Sequence, residues 1–171
     1  FEQNDDINNI QSQLDQAMAL LRNIMKESDN QNLLETKAFR NAVQSIANIY
    51  FEDNFPTFKM TNQLSTLSLP ISPYTVNHLY YIIQESLLNI SKHAHATKVD
   101  LTLTQELNYL IINIKDNGQG FNVDEVYAHS QGLKSMNHRI EQVSGKLFIT
   151  SKPNHHKKHG TLIKLIVPLE N

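Results

Sequence analysis

Four side chains able to meet a phosphate or a metal ion fall within one short stretch, "QESLLNISKHAHA" at residues 84–96: Glu85, Asn89, Lys92 and His93. In an α-helix, residues three and four apart stack on one side. Measured from Asn89, the side chains of His78, Glu85, Lys92, His93 and Ala96 fall within roughly 60° of it at that pitch. Val76, Leu79, Tyr80, Ile83, Leu87, Ile90 and Ala94 fall on the far side, and Ile82 alone interrupts the polar stripe. The wet face therefore carries an acid, an amide and two groups that can be cations. Taken alone, a solvated charged face is the commoner explanation of such a pattern. An asparagine inside a helix competes with the backbone, which hints at a further purpose.

Three other segments carry signals of the same kind. "DNGQGF", residues 116–121, follows the apolar run "YLIINIK". Its two glycines permit positive φ or close backbone approach to a ligand, although an ordinary Asp-Asn-Gly turn accounts for the hexapeptide by itself. "SQGLKSM", 130–136, puts Gly132 just before a helix, whose free N-terminus offers N–H groups to an anion. "HGTLIKLIVP" puts Gly160 and Thr161 at the start of the last strand. The neighbouring "HHKKH", 155–159, is read as a solvated hairpin loop, because adjacent lysines disfavour a bound cation.

These segments need elements to hold them. Residues 7–25 repeat Ile7, Leu14 and Leu21, with Ile10, Ala17 and Ile24 offset by three, an a/d seam that suits a helical partner or a neighbouring helix of the same domain. "KESDNQN" interrupts it, and a second helix is expected over 33–53, with Leu34, Ala38, Val43, Ile46 and Ile49 among its apolar positions. "TFKMTNQL" alternates as a strand, and "SLPISPY" serves as loop and cap for a helix over 74–94. "KVDLTLTQ" and "NYLIINIKDN" form a hairpin, residues 118–132 read as a loop, "GLKSMNHRIEQVS" is a helix, and "KLFITSKP" and "TLIKLIVPL" close the chain as strands. Helices and antiparallel pairs segregate, which implies an α+β two-layer sandwich with helices on one face of a mixed sheet.

The 171 residues suit one domain with an appendage. A net charge of −2 and the lack of a basic stripe argue against nucleic acid as the main partner. The absence of cysteine excludes disulfides, thiolate metal sites and a cysteine nucleophile. No apolar run approaches a membrane span, so these residues are expected to make no membrane contact. The chain starts at Phe1 and is read as part of something longer.

Together and in order, the four segments resemble the ATP-binding catalytic domain of sensor histidine kinases, in the ATPase superfamily shared with the gyrase B subunit. The variant looks like the subfamily that acts on response regulators of the NarL type, to which the DesK-type kinases belong. "QESLLNISKHAHA" is similar to the N box, "DNGQGF" to the G1 box, "GLKSMNHRI" to the G2 box and "HGT" to the terminal Gly-Thr element. The resemblance covers about residues 70–169. It implies ATP and Mg²⁺ as cofactors, with Asn89 as the metal ligand and Glu85 as general base or as a group holding a water on the metal. Lys92 and His93 would meet phosphate charge. Asp116 would accept from the adenine amino group, with Gly118, Gly120, Gly132, Leu133 and Thr161 also at the nucleotide. Residues 122–132 would be a lid hinged at Gly132. The Walker-A pattern is absent, so a P-loop enzyme is excluded. Where the family often has glycines, this chain has Lys134 and Ser135.

The resemblance further implies that residues 1–29 are part of the dimerisation and phosphotransfer module, with 30–171 as the catalytic domain. A homodimer through the N-terminal helix, a response regulator as partner and a cytoplasmic location follow. The first histidine is His78, inside the catalytic domain, so no autophosphorylation of these residues is expected. Two other functions share the pattern: a non-catalytic dimerisation or regulator-docking module of the same fold, and an anti-sigma-factor serine kinase.

Overall fold

The computed structural model describes residues 33–170 apart from 52, 54, 65–67 and 154–158, together with Ser12 and Ala19, both helical. Apart from those two residues, the heptad helix lies outside the described residues, as do the boundary at residues 29 and 30 and all of the His-rich loop except His159.

The chain runs β1 (Leu33–Glu35), α1 (Thr36–Tyr50), β2 (Thr57–Asn62), β3 (Ser68–Pro70), α2 (Pro73–Asn89), a π-turn (Ile90–Ala94), β4 (Lys98–Glu106), β5 (Tyr109–Asp116), α3 (Val123–His129), α4 (Gln131–Glu141), β6 (Lys146–Lys152) and β7 (Gly160–Pro168). Five strands form one sheet in the order β2-β4-β5-β7-β6. β2 runs parallel to β4, and the other neighbours are antiparallel. The sheet is mixed, and α1, α2 and α4 pack with α2 in the middle. This is the expected α+β two-layer sandwich.

Strand alternation decides which residues face the helices. Val99, Leu101 and Leu103 of β4 and Leu110, Ile112 and Ile114 of β5 are all buried. Continuing that period by two puts Asp116 on the same inward face. On β7, Thr161, Ile163, Leu165 and Val167 do the same. From the helical side, Phe39, Val43 and Ile46 of α1 and Leu79, Ile83 and Leu87 of α2 close the core. α2 begins as its sequence implies: the Ser72 side chain accepts from the Thr75 N–H at 3.3 Å, and Pro73 occupies the first turn.

Several local expectations need correction. The second helix is shorter than 33–53, because Leu33–Glu35 pairs antiparallel with Ser68–Pro70 in a separate two-stranded sheet. Such long-range pairing leaves no local period to read. Residues 123–129, read as loop, form α3, capped by Asn122 Oδ1 accepting from the Asp124 N–H, with Asp124 and Glu125 in the first turn. None of its residues is buried, so no apolar stripe announced it. Ile82, the odd residue in the polar stripe of α2, is fully buried, because α4 packs along that side.

Candidate functional site

A cavity of about 370 Å³ opens between the end of α2, the inward ends of β5 and β7, and α3 with the start of α4. That volume lies in the range of small-ligand sites. Asn89, His93, Asp116, Gly120, Leu133 and Thr161, six of the residues singled out from the sequence, line it. Glu85, Lys92, Gly118 and Gly132 do not, although Glu85 and Gly118 hydrogen-bond residues at the wall and Gly132 lies against Glu85.

Asp116 is the buried charge of the site, 4 % exposed. Burial holds its carboxyl above the ordinary value of 3.8, against hydrogen bonds from the Gly118 N–H, the Thr161 N–H and the Thr161 hydroxyl that favour the carboxylate. The Gly118 bond is 2.8 Å long. Gly118 therefore serves the cavity from behind. Its α-carbon lies against the Ala94 carbonyl, where a Cβ would collide with backbone.

Asn89 is held by its donor side. Its Nδ2 donates to Glu85 Oε1 at 3.2 Å, which leaves the amide oxygen as the atom available to a cation. Glu85 is itself backed by α4: a Cβ at Gly132 would run into Glu85 Oε1. Gly132 is thus inside the first turn of α4 and not ahead of it. The helix is capped by Ser130, whose Oγ accepts from the Leu133 N–H at 3.1 Å. The hinge expected at Gly132 has no loop to act on there.

Past Asn89 the helix changes pitch. Residues 90–94 form a π-turn, ended by His95 at φ 50° in the left-handed region. Bonds spanning five residues make each step around the axis smaller than in an α-turn. His93 consequently turns toward Asn89 and lines the cavity, while Lys92 falls back and is exposed off the wall. Ala96, placed in the wet stripe by α-helical extrapolation, lies beyond the helix and is buried.

Sequence reasoning missed the apolar wall: Ile90, Ala94, Phe121, Val126 and Ile163, with the buried Ser86. The Ser86 hydroxyl donates to the Ile82 carbonyl at 2.7 Å, which satisfies it. These residue types read as core, and only the fold turns them toward a cavity. The N-cap role of Ser130 was legible as a serine just ahead of a helix.

For Mg²⁺ the fit is good. No group of three histidine, cysteine or acidic side chains that could cage a metal exists among the described residues. Mg²⁺ commonly takes one or two protein oxygens and completes its shell with water and substrate phosphates, which a single free amide oxygen at the wall matches.

A sheet covered on one face by helices, with a buried acid at the end of one strand and an amide on the facing helix, defines a class. Residues 75–171 match the family described as histidine kinase-, DNA gyrase B- and HSP90-like ATPases, and the chain belongs to that family. It is 40 % identical over 93 residues to the sensor protein VraS of Staphylococcus epidermidis and to that of Staphylococcus aureus, covering 54 % of this chain and 26 % of each relative. The chain thus spans about a quarter of the length of these curated relatives. The histidine kinase domain of the Erythrobacter litoralis EL346 blue-light activated kinase superposes with TM-score 0.69 at 16 % identity, over 90 % of this chain and 70 % of that one. Acinetobacter baumannii AdeS, a histidine kinase, gives 0.64 at 13 % identity, over 91 % and 75 %. Those two likenesses concern the fold. Among the described residues no helix is long and apolar enough to cross a membrane.

Proposed function

We propose that this chain is the ATP-binding catalytic domain of a two-component sensor histidine kinase. The observation that carries the reading is the shared cavity: Asn89 from α2 and Asp116 from β5 line the same walls. Asp116 accepts a hydrogen bond from the adenine amino group. Guanine presents a carbonyl at that position, so the carboxylate would face a second acceptor and reject it. The apolar wall from Ile90, Leu133 and Ile163 encloses the base.

At the other end, Asn89 offers its oxygen to Mg²⁺, which, when bound, neutralises the charge of the phosphates. Glu85 works through Asn89, holding the amide in the orientation that presents oxygen. His93 supplies a donor on the phosphate side. Phosphoryl transfer needs mainly position and charge stabilisation, and this set supplies both. α3 and the start of α4 form the cover that keeps water out. The acceptor is a histidine outside these residues, reached through a homodimer formed by the N-terminal helix, with relay to a response regulator. Dimerisation, the domain boundary near residue 29 and the regulator rest on the sequence pattern and the family.

Calorimetric titration with ATP, with and without Mg²⁺, tests the reading. Wild-type chain should bind ATP more tightly with Mg²⁺, and Asn89→Ala should remove that dependence while keeping the fold. Stable radiolabel on this chain after incubation with ATP would overturn the placement of the acceptor elsewhere. Failure of the wild type to bind ATP would leave a docking module of the same fold.

A further inference from the structure

The His-rich loop takes no part in the nucleotide reading, yet its last residue reaches the site. His159 Nδ1 lies 2.6 Å from the carbonyl oxygen of Gly118. A carbonyl can only accept, so Nδ1 carries the proton and donates it. The N–H of the same glycine donates to Asp116 Oδ1 at 2.8 Å. Gly118 is therefore gripped on both sides: its N–H by the carboxylate that reads the base, its carbonyl by a histidine from another part of the chain.

The next residue is fastened toward the helix. The Gln119 N–H donates to the Ala94 carbonyl at 2.8 Å, and Gln119 Nε2 donates to the His93 carbonyl at 2.7 Å. Both acceptors belong to the π-turn of α2. Without His159 the Gly118 carbonyl loses its histidine donor, and the residue is held through its N–H on Asp116 and through neighbours: Asn117 Oδ1, which accepts from the Thr97 and Lys98 N–H groups, and the Phe121 N–H, which donates to Ser151 Oγ. The approach of β7 explains why residue 159 can reach it. Gly160, at φ 105°, lies against the Asp116 carbonyl so closely that a Cβ would collide with it. The chain therefore enters β7 directly across the loop, one residue after His159.

We infer that His159 is a positioning residue of the nucleotide site. By holding the Gly118 carbonyl, it keeps the Gly118 N–H on Asp116 and so fixes the direction in which that carboxylate meets the base. This rests on the ATP reading given above. His159 is exposed, so its ring covers no core and its loss falls on the site more than on the fold.

The test is titration of the full chain with MgATP and with MgGTP. His159→Ala should weaken ATP about five- to tenfold, the worth of one hydrogen bond, and narrow the preference for ATP over GTP. His159→Asn, whose Nδ2 branches from the same carbon as the histidine Nδ1, should return ATP binding to within about twofold of wild type. Melting temperatures of both variants should stay near that of the wild type. An alanine variant with wild-type affinity and preference overturns the inference, as does an asparagine variant that loses as much as alanine. A wild-type chain that binds no ATP at all removes the nucleotide reading itself, an outcome distinct from a binding wild type with an indifferent variant.

Discussion

At the scale of single residues, Asp116 carries the sharpest expectation. Its folded-state value lies above the ordinary 3.8, so the fold favours the protonated acid. That contribution to stability is fully present below 3.8 and is lost as pH rises through the raised value. The adenine recognition proposed for Asp116 runs the other way, since it needs the carboxylate. ATP affinity should therefore fall on acidification with a midpoint above 3.8, and a midpoint at or below 3.8 would refute the burial argument. Asp116→Asn should keep or slightly raise thermal stability, because it removes a buried charge. The same change should cost about 2–3 kcal/mol of ATP binding, since an amide donor then faces the adenine amino group. Differential scanning calorimetry and titration calorimetry read the two effects separately. Asp116 and Asn89 were singled out through the resemblance of four ordered segments to the family's boxes, since an acid after an apolar strand and an amide in a helix are by themselves only hints. Ile90, Phe121 and Ile163 were not, because an apolar side chain looks the same from the sequence whether it meets protein or ligand.

Secondary-structure elements add constraints that no residue carries alone. The start of α4 leaves room for the Glu85 side chain because residue 132 lacks a Cβ, and the atom a Cβ would strike is the far end of that flexible side chain. Gly132→Ala should then leave stability unchanged or slightly higher, as alanine favours helix. It should also push Glu85 off Asn89 and lower Mg²⁺-dependent ATP affinity about tenfold. Glu85→Ala in that background should add little, the non-additivity expected of residues acting on one target. An additive double variant would contradict the link. The helical period located α2 and α4 but missed the change of pitch at Ile90, because a π-turn has no distinct composition. It missed α3 for the opposite reason: Asn122, Asp124 and Glu125 supplied start signals, but a helix with no buried face has no period to detect.

Across the whole molecule, the alternation of β4, β5 and β7 sufficed to reveal a sheet covered on one side. The parallel pairing of β2 with β4 and the small β1–β3 sheet were hidden, since partner choice between distant segments is decided by the packed fold. One long-range link is directly testable. Glu170 Oε1 accepts from the Ser72 N–H at 3.1 Å, and the Glu170 N–H donates to the Pro70 carbonyl at 2.8 Å, so the stretch after β7 braces the entrance to α2. Glu170→Ala keeps the backbone bond and should cost about 1 kcal/mol, a few degrees in melting temperature. An unchanged melt would show that water replaces the carboxylate without loss. The contact of Gly118 with the Ala94 carbonyl has a wider bearing. Because main chain rests on main chain there, no side chain can be resized to lengthen or shorten the gap between the end proposed to read the base and the end proposed to meet the phosphates. For a nucleotide bound as proposed, substitutions in the lining retune the contacts at either end, while the span between those ends is held by backbone.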